Sequence, residues 1–149
     1  MDKNRSIKAR FANLAALGKM TVPYGGQTAY ERFHPGVDIA NAKGTPIPSM
    51  ENGIVENTVT GKRQGDAGFG NTITVRTQNG DRHQFGHMGN VNVAPGQQVQ
   101  KGQIIGDMSN SGSAYSPSGQ GDGTHLDFRI VSAYNKYKNP MTYLRNIKY

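Results

Sequence analysis

Only four histidines occur in this 149-residue chain, and their neighbours decide what chemistry each could do. His34-Pro-Gly-Val-Asp38 sets an imidazole and a carboxylate four residues apart. Pro35 and Gly36 oppose a continuous helix, so the segment reads as a turn entering a strand, with both side chains free to swing to one side. Neutral imidazole and carboxylate form a proper pair of zinc ligands, although a hydrogen-bonded surface His–Asp pair satisfies the same spacing. His83 and His87 fall on an extended segment where positions 83, 85 and 87 share a face. They read either as a metal-binding pair or as two partly exposed side chains. His125 and Asp127 alternate on a strand from Thr124 to Val131, with Leu126 and Phe128 on its opposite, apolar face. A groove-lining strand has that pattern, and so does the edge of an ordinary sandwich.

Taken together, three separated segments each offer His or Asp on short extended elements bordered by glycine. A catalytic zinc needs about three protein ligands and an open position, with further groups nearby to move protons and stabilise an oxyanion. No cysteine is present, which excludes a disulfide framework, a thiolate metal site and a Cys nucleophile.

The elements that must position these residues are strands and turns. Gly53-Ile54-Val55 opens a strand, and Asn71 to Thr77 alternates cleanly. Asn79-Gly80 is a tight-turn dipeptide, and Arg82 to His87 resumes an extended segment, which predicts a hairpin over about 71 to 87. Val99, Gln103 to Gly106, and Leu126 to Val131 give further strands. The Gly-rich stretches 61 to 70 and 109 to 123 read as polar surface loops. Residues 1 to 18 read as a short amphipathic helix carrying Ile7, Phe11, Leu14 and Leu17 and ended by Gly18. It lies on the domain's own core or docks a partner. The fold expected is mainly β: a small antiparallel sheet or sandwich with a short N-terminal helix. The division is 1–18 as helix or docking segment and 19–149 as the chemical domain.

Composition agrees. Hydrophobic residues make up 34%, charged residues only 18%, and Gly numbers 20, which suits one turn-rich β domain better than a helical bundle or a disordered chain. A net charge of +7 favours polyanions, among them anionic wall polymers and nucleic acid. No aromatic-interleaved basic motif supports nucleic acid. Gly61-Lys62 lacks the context of a phosphate loop. No stretch has the length of a membrane span, and no apolar region marks a secretory signal.

In order, the motifs His34-Pro-Gly-Val-Asp38, Phe85-Gly86-His87 and His125-Leu126-Asp127 resemble those of the LytM/lysostaphin family of zinc peptidases, which cleave peptide cross-links in bacterial peptidoglycan. The resemblance extends through Arg32-Phe33, Lys43-Gly-Thr-Pro-Ile47, Gly53-Ile-Val55, Ala94-Pro-Gly-Gln-Gln-Val99, Lys101-Gly-Gln-Ile-Ile-Gly106 and Gly123-Thr-His-Leu126, roughly residues 20 to 131. It implies a small antiparallel β-sheet fold whose central groove holds a metal bound by His34 and Asp38, with His87 and His125 as catalytic histidines outside the ligand set. Zn2+ is the implied cofactor, and peptidoglycan is the implied partner, with a phage or envelope protein as a further expected partner through residues 1–18. The implied location is the bacterial cell wall or periplasm, reached by a phage particle, by lysis or as part of a larger precursor. His83 matches no family position and reads as structural or incidental.

The third ligand of the family pattern is the second His of H-x-H, and this chain carries Asp127 there. A carboxylate binds zinc at about the same distance as an imidazole, but two aspartates offset the ion's charge and weaken it as a Lewis acid. Three outcomes stand open: an enzyme with an unusual ligand set, a site for a harder metal such as manganese, or an inactive wall-binding or virion module on the same fold. His125, two residues from Asp127 on one strand face, is the expected general base, and His87 the group that steadies the oxyanion. A biotinyl-type hairpin around Gly96 to Gln103 is a further reading, but it leaves His34, His87 and His125 unexplained.

Overall fold

The computed structural model describes residues 14–29, 31–116 and 121–148. Ten strands follow one another: β1 (Lys19–Val22), β2 (Val37–Ala40), β3 (Pro46–Pro48), β4 (Gly53–Val59), β5 (Asn71–Thr77), β6 (Arg82–Val91), β7 (Gln98–Val99), β8 (Ile104–Met108), β9 (Leu126–Val131) and β10 (Tyr137–Lys138). A 3₁₀ turn, Leu14–Leu17, precedes them, and α1 (Met141–Leu144) follows. The strands form one antiparallel sheet in the order β1-β2-β9-β6-β5-β4-β7, with β10 beside β9, and β8 bridging β6 to β3. The expected β class and the expected strands are present.

Alternation builds the core. Val37 and Ile39 on β2, Ile73 and Val75 on β5, and Leu126, Phe128 and Ile130 on β9 are all buried. Phe85 and Phe128 are register partners across β6 and β9, and their ring centroids lie 5.0 Å apart. Removing each such side chain from water contributes roughly 1.5–3 kcal/mol. The opposite face of β9 carries Asp127 and Arg129, which are buried as well, so that face is roofed rather than open.

The hairpin between β5 and β6 closes through a three-residue loop rather than a two-residue turn. The N–H of Thr77 donates to the carbonyl of Asp81 (2.8 Å), and Gly80 takes a φ of +90°. The strand β6 then departs from simple alternation. Gly86 faces Asp127 on β9, and His87 adopts a left-handed φ of 60°, its N–H bonded to the carbonyl of Phe69 at 2.7 Å. Left-handed backbone costs a non-glycine residue about 1–2 kcal/mol. Its effect is to break the shared face expected for positions 83, 85 and 87. His83 packs edge-on against Phe128 and Tyr143, whereas the ring of His87 meets His125 and Phe69.

The first Gly-rich stretch is largely exposed up to residue 69, as expected, whereas the second departs in part from the surface loop expected. Gly70, Asn110, Ser111, Gly112 and Ala114 are buried. Polar backbone can be buried when its groups are paired, and here the loops pair with each other. Gly65 donates to Gly112, Gly112 to Arg63, and Ser113 to Gly68.

Of the N-terminal helix expected over 1–18, residues 1–13 lie outside the described residues. Leu17 belongs to the core, and the side-chain amide of Asn41 donates to the carbonyls of Ala16 and Leu17, both at 3.2 Å. Among the described residues, no helix is long and apolar enough to cross a membrane.

Candidate active site

The turn before β2 delivers His34, and β2 itself delivers Asp38. His34 is 2% exposed, and its Nε2 lies 2.9 Å from Asp38 Oδ1. Both atoms are buried, yet neither makes an aligned hydrogen bond. The other nitrogen, Nδ1, faces Glu31 Oε1 at 3.3 Å. With a proton on Nδ1 directed at Glu31, the lone pairs on Nε2 and Oδ1 face one another, an arrangement that a shared cation, or a second proton on the ring, reconciles. Electrostatics favour positive charge at this point, whether a proton or an ion. Burial opposes charge on His34, but the carboxylates of Asp38, Asp127 and Glu31 outweigh it and hold its pKa above the ordinary 6.5.

Register brings the third carboxylate in, because Asp38 and Asp127 are direct partners across β2 and β9. One ligand atom from each of His34, Asp38 and Asp127 lies within 4.8 Å of the others. Both oxygens of Asp127 accept hydrogen bonds from Arg129, from Nε and Nη2, at 2.9 Å each. A carboxylate has about four lone-pair directions, so those two bonds leave acceptor capacity towards the other ligands. The donor set therefore fits a divalent cation.

The catalytic histidines expected from the sequence stand beside this group. His125 Nε2 is 3.8 Å from Asp38 Oδ2, and the rings of His87 and His125 are 4.6 Å apart. His87 Nδ1 donates to the carbonyl of Ser111 (2.7 Å), and His125 Nδ1 donates to that of Gly123 (2.8 Å). Because a carbonyl only accepts, both neutral rings keep Nε2 as the unprotonated nitrogen. Burial, followed by the neighbouring His125, pushes the pKa of His87 down. His83 stands apart from this cluster. It is 1% exposed inside the core, and burial lowers its pKa to about 4.

Four residues of the site escape a reading of the sequence: Glu31, Phe69, Ser111 and Arg129. Only Arg129 carries a signal, since positions 125, 127 and 129 share a strand face. A cavity of about 130 Å³ adjoins the site, lined by Phe69, Thr72, Thr74, Gln84 and Gly86, with Asp127 and Arg129 as one wall. A larger open depression, about 1080 Å³, lies by β4 and β7 around Asn52, Ile54, Arg76 and Lys101, and holds none of the site residues.

His34, Asp38 and Asp127 thus form one His–Asp–Asp group on an antiparallel sheet, with His87 and His125 beside it. The profile of Peptidase family M23 matches residues 32–140, and the chain belongs to that family. It is 30% identical over 86 residues to the DD-carboxypeptidase/endopeptidase Mpg of Neisseria meningitidis serogroup B, a match covering 58% of this chain and 19% of that protein. The chain thus spans about a fifth of the length of that curated relative. Among solved structures, it resembles the catalytic domain of a mutant of the prophage-encoded M23 protein EnpA from Enterococcus faecalis. The TM-score is 0.67 with 27% identity, covering 84% of this chain and 90% of that one. The antimicrobial peptidase lysostaphin from Staphylococcus simulans gives a TM-score of 0.65 with 26% identity, covering 87% of this chain and 50% of that one.

Proposed function

We propose that this chain is a zinc-dependent endopeptidase that hydrolyses peptide cross-links of bacterial peptidoglycan. His34, Asp38 and Asp127 would hold the ion, and His125 and His87 would handle protons. The observation that carries the reading is the buried, face-to-face pair of His34 Nε2 and Asp38 Oδ1, with no hydrogen bond between them and Asp127 alongside. Family membership and the names of relatives such as Mpg and lysostaphin support the substrate class. Likeness to a prophage-encoded protein supports, as a finer proposal, a phage-associated lytic role at the cell wall.

A bound zinc supplies Lewis acidity and makes water a competent nucleophile near neutral pH. The chain's own residues do the rest. His125 Nε2 accepts the proton of the attacking water, with the ring held in that tautomer by Gly123. The same nitrogen returns the proton to the leaving amine. His87 steadies the tetrahedral intermediate, and its Nε2 can donate only when the ring is protonated. Phe69, Thr72, Thr74 and Gln84 line the adjacent cavity where part of the peptide would lie.

Equilibrium dialysis against zinc tests the reading. It requires about one ion per chain for the wild type and a large loss of affinity in Asp38→Asn. A wild type that takes up neither zinc nor manganese contradicts it.

A further inference from the structure

Arg129 is the one charged residue in this site that the peptidase chemistry leaves without a task. It is 6% exposed, and its Nε, Nη1 and Nη2 all reach carboxylate oxygens. Nε and Nη2 bond both oxygens of Asp127 at 2.9 Å, and Nη2 reaches Glu31 Oε1 at 3.1 Å. Its Cζ lies 4.5 Å from the centroid of the Phe69 ring. Gly36 makes room for the side chain, because a Cβ there would stand 2.5 Å from Arg129 Cγ and 3.2 Å from Asp127 Oδ1.

Charge explains the arrangement. Asp38 and Asp127 are partners across β2 and β9, and Glu31 backs His34, so three carboxylates crowd one small region. Asp127 is 4% exposed, and a buried carboxylate with no counter-charge is strongly destabilising. A guanidinium answers two carboxylates at once through its planar fork. Together Asp127 and Arg129 are neutral, as an imidazole would be.

We propose that Arg129 is a resident cation of the metal site: it holds Asp127 and Glu31 in place in the metal-free protein, and it makes the second aspartate a charge-neutral stand-in for an imidazole donor. It is a positioning residue and touches neither substrate nor metal. The second half of the proposal rests on the metal reading above; the first half does not.

A double-mutant cycle on the full chain, run at neutral pH in chelator and in saturating zinc, separates the parts. In chelator, Arg129→Gln lowers Tm by about 10 °C, as expected for stranding a buried charge. Adding Asp127→Asn to that variant recovers about half of the loss or more, because the stranded charge is gone. Zinc raises the Tm of Arg129→Gln more than that of the wild type, and its zinc Kd tightens about tenfold as a neighbouring positive charge is removed. If Arg129→Gln does not fold in chelator, rescue of folding by Asp127→Asn or by zinc supports the proposal equally. A loss that neither Asp127→Asn nor zinc relieves means Arg129 is packing alone and overturns the proposal. An unchanged or weaker zinc Kd overturns the charge-offset half. A wild type that binds no metal removes that half together with the metal reading, while the cycle in chelator still decides whether Arg129 holds Asp127.

Discussion

The Nδ1 of His87 lies 2.7 Å from the carbonyl of Ser111, so a loop residue sets the tautomer of a histidine presented by the central strand. Ser111 is itself pinned: its Oγ donates to Met88 O at 2.6 Å and accepts from Asn71 N–H at 3.0 Å. The left-handed turn at His87 and this strut act together, one re-aiming the ring and the other fixing which nitrogen is free.

Ser111→Ala removes the pins and leaves the carbonyl. It strands the Asn71 N–H, costing about 1–3 kcal/mol of stability, and lets the His87 ring drift. The expected outcome is a lowered Tm and reduced kcat with zinc stoichiometry unchanged. Parallel calorimetry, turnover and metal analysis check it, and a variant with wild-type kcat contradicts the role given to the loop.

His125→Ala should abolish turnover while sparing the metal, because its Nε2 stands 3.8 Å from Asp38 Oδ2 and is the proposed proton acceptor. General-base loss typically lowers rate about a hundred- to ten-thousand-fold. Turnover and zinc titration of the same preparation decide the matter. Comparable activity, or loss of zinc as severe as in Asp38→Asn, would place His125 in a different role.

Asp127→Ala should weaken zinc binding by about a hundredfold or more, since only His34 and Asp38 remain and Arg129 loses its main partner. Asp127→His should keep the metal by supplying an imidazole donor. Competition titration against a coloured chelator reads both. Zinc affinity in Asp127→Ala equal to wild type removes Asp127 from the ligand set.

His83 predicts an acid limb in stability. Its folded pKa of about 4 lies below the ordinary 6.5, so the unfolded chain binds the extra proton and stability falls as pH drops. Burial is the main cause; Lys138 adds to it, and Asp81 and Glu51 oppose it. The effect begins near pH 6.5 and is complete near pH 4, amounting to roughly 3 kcal/mol. His83→Leu should flatten the profile between those limits in urea titrations. A variant that loses stability towards acid as steeply as wild type assigns that limb to other groups.

How much of the molecule is legible in its sequence follows from the range of each interaction. Asn71 to Thr77 and Leu126 to Val131 are readable because alternation is local and a buried face enforces it. His34, Asp38, His87, His125 and Asp127 are readable as a set through motif order, and the structure brings all five together. The face of His87 is not, because a single left-handed residue inverts it and no neighbouring residue type signals that conformation. Ser111 is hidden in a polar, Gly-rich stretch whose burial depends on pairing with the other Gly-rich loop, far earlier in the chain. Arg129 sits in view on the same face as His125 and Asp127, but its meaning lies in Glu31, 98 residues away in sequence.

Hydrolysis of wall peptides, the proposed activity, is read by mass spectrometry of purified peptidoglycan incubated with zinc-loaded protein. The account predicts new free amino termini at cross-link peptides, absent with His125→Ala and absent after metal removal. An intact peptidoglycan after prolonged incubation with fully zinc-loaded wild type would contradict it.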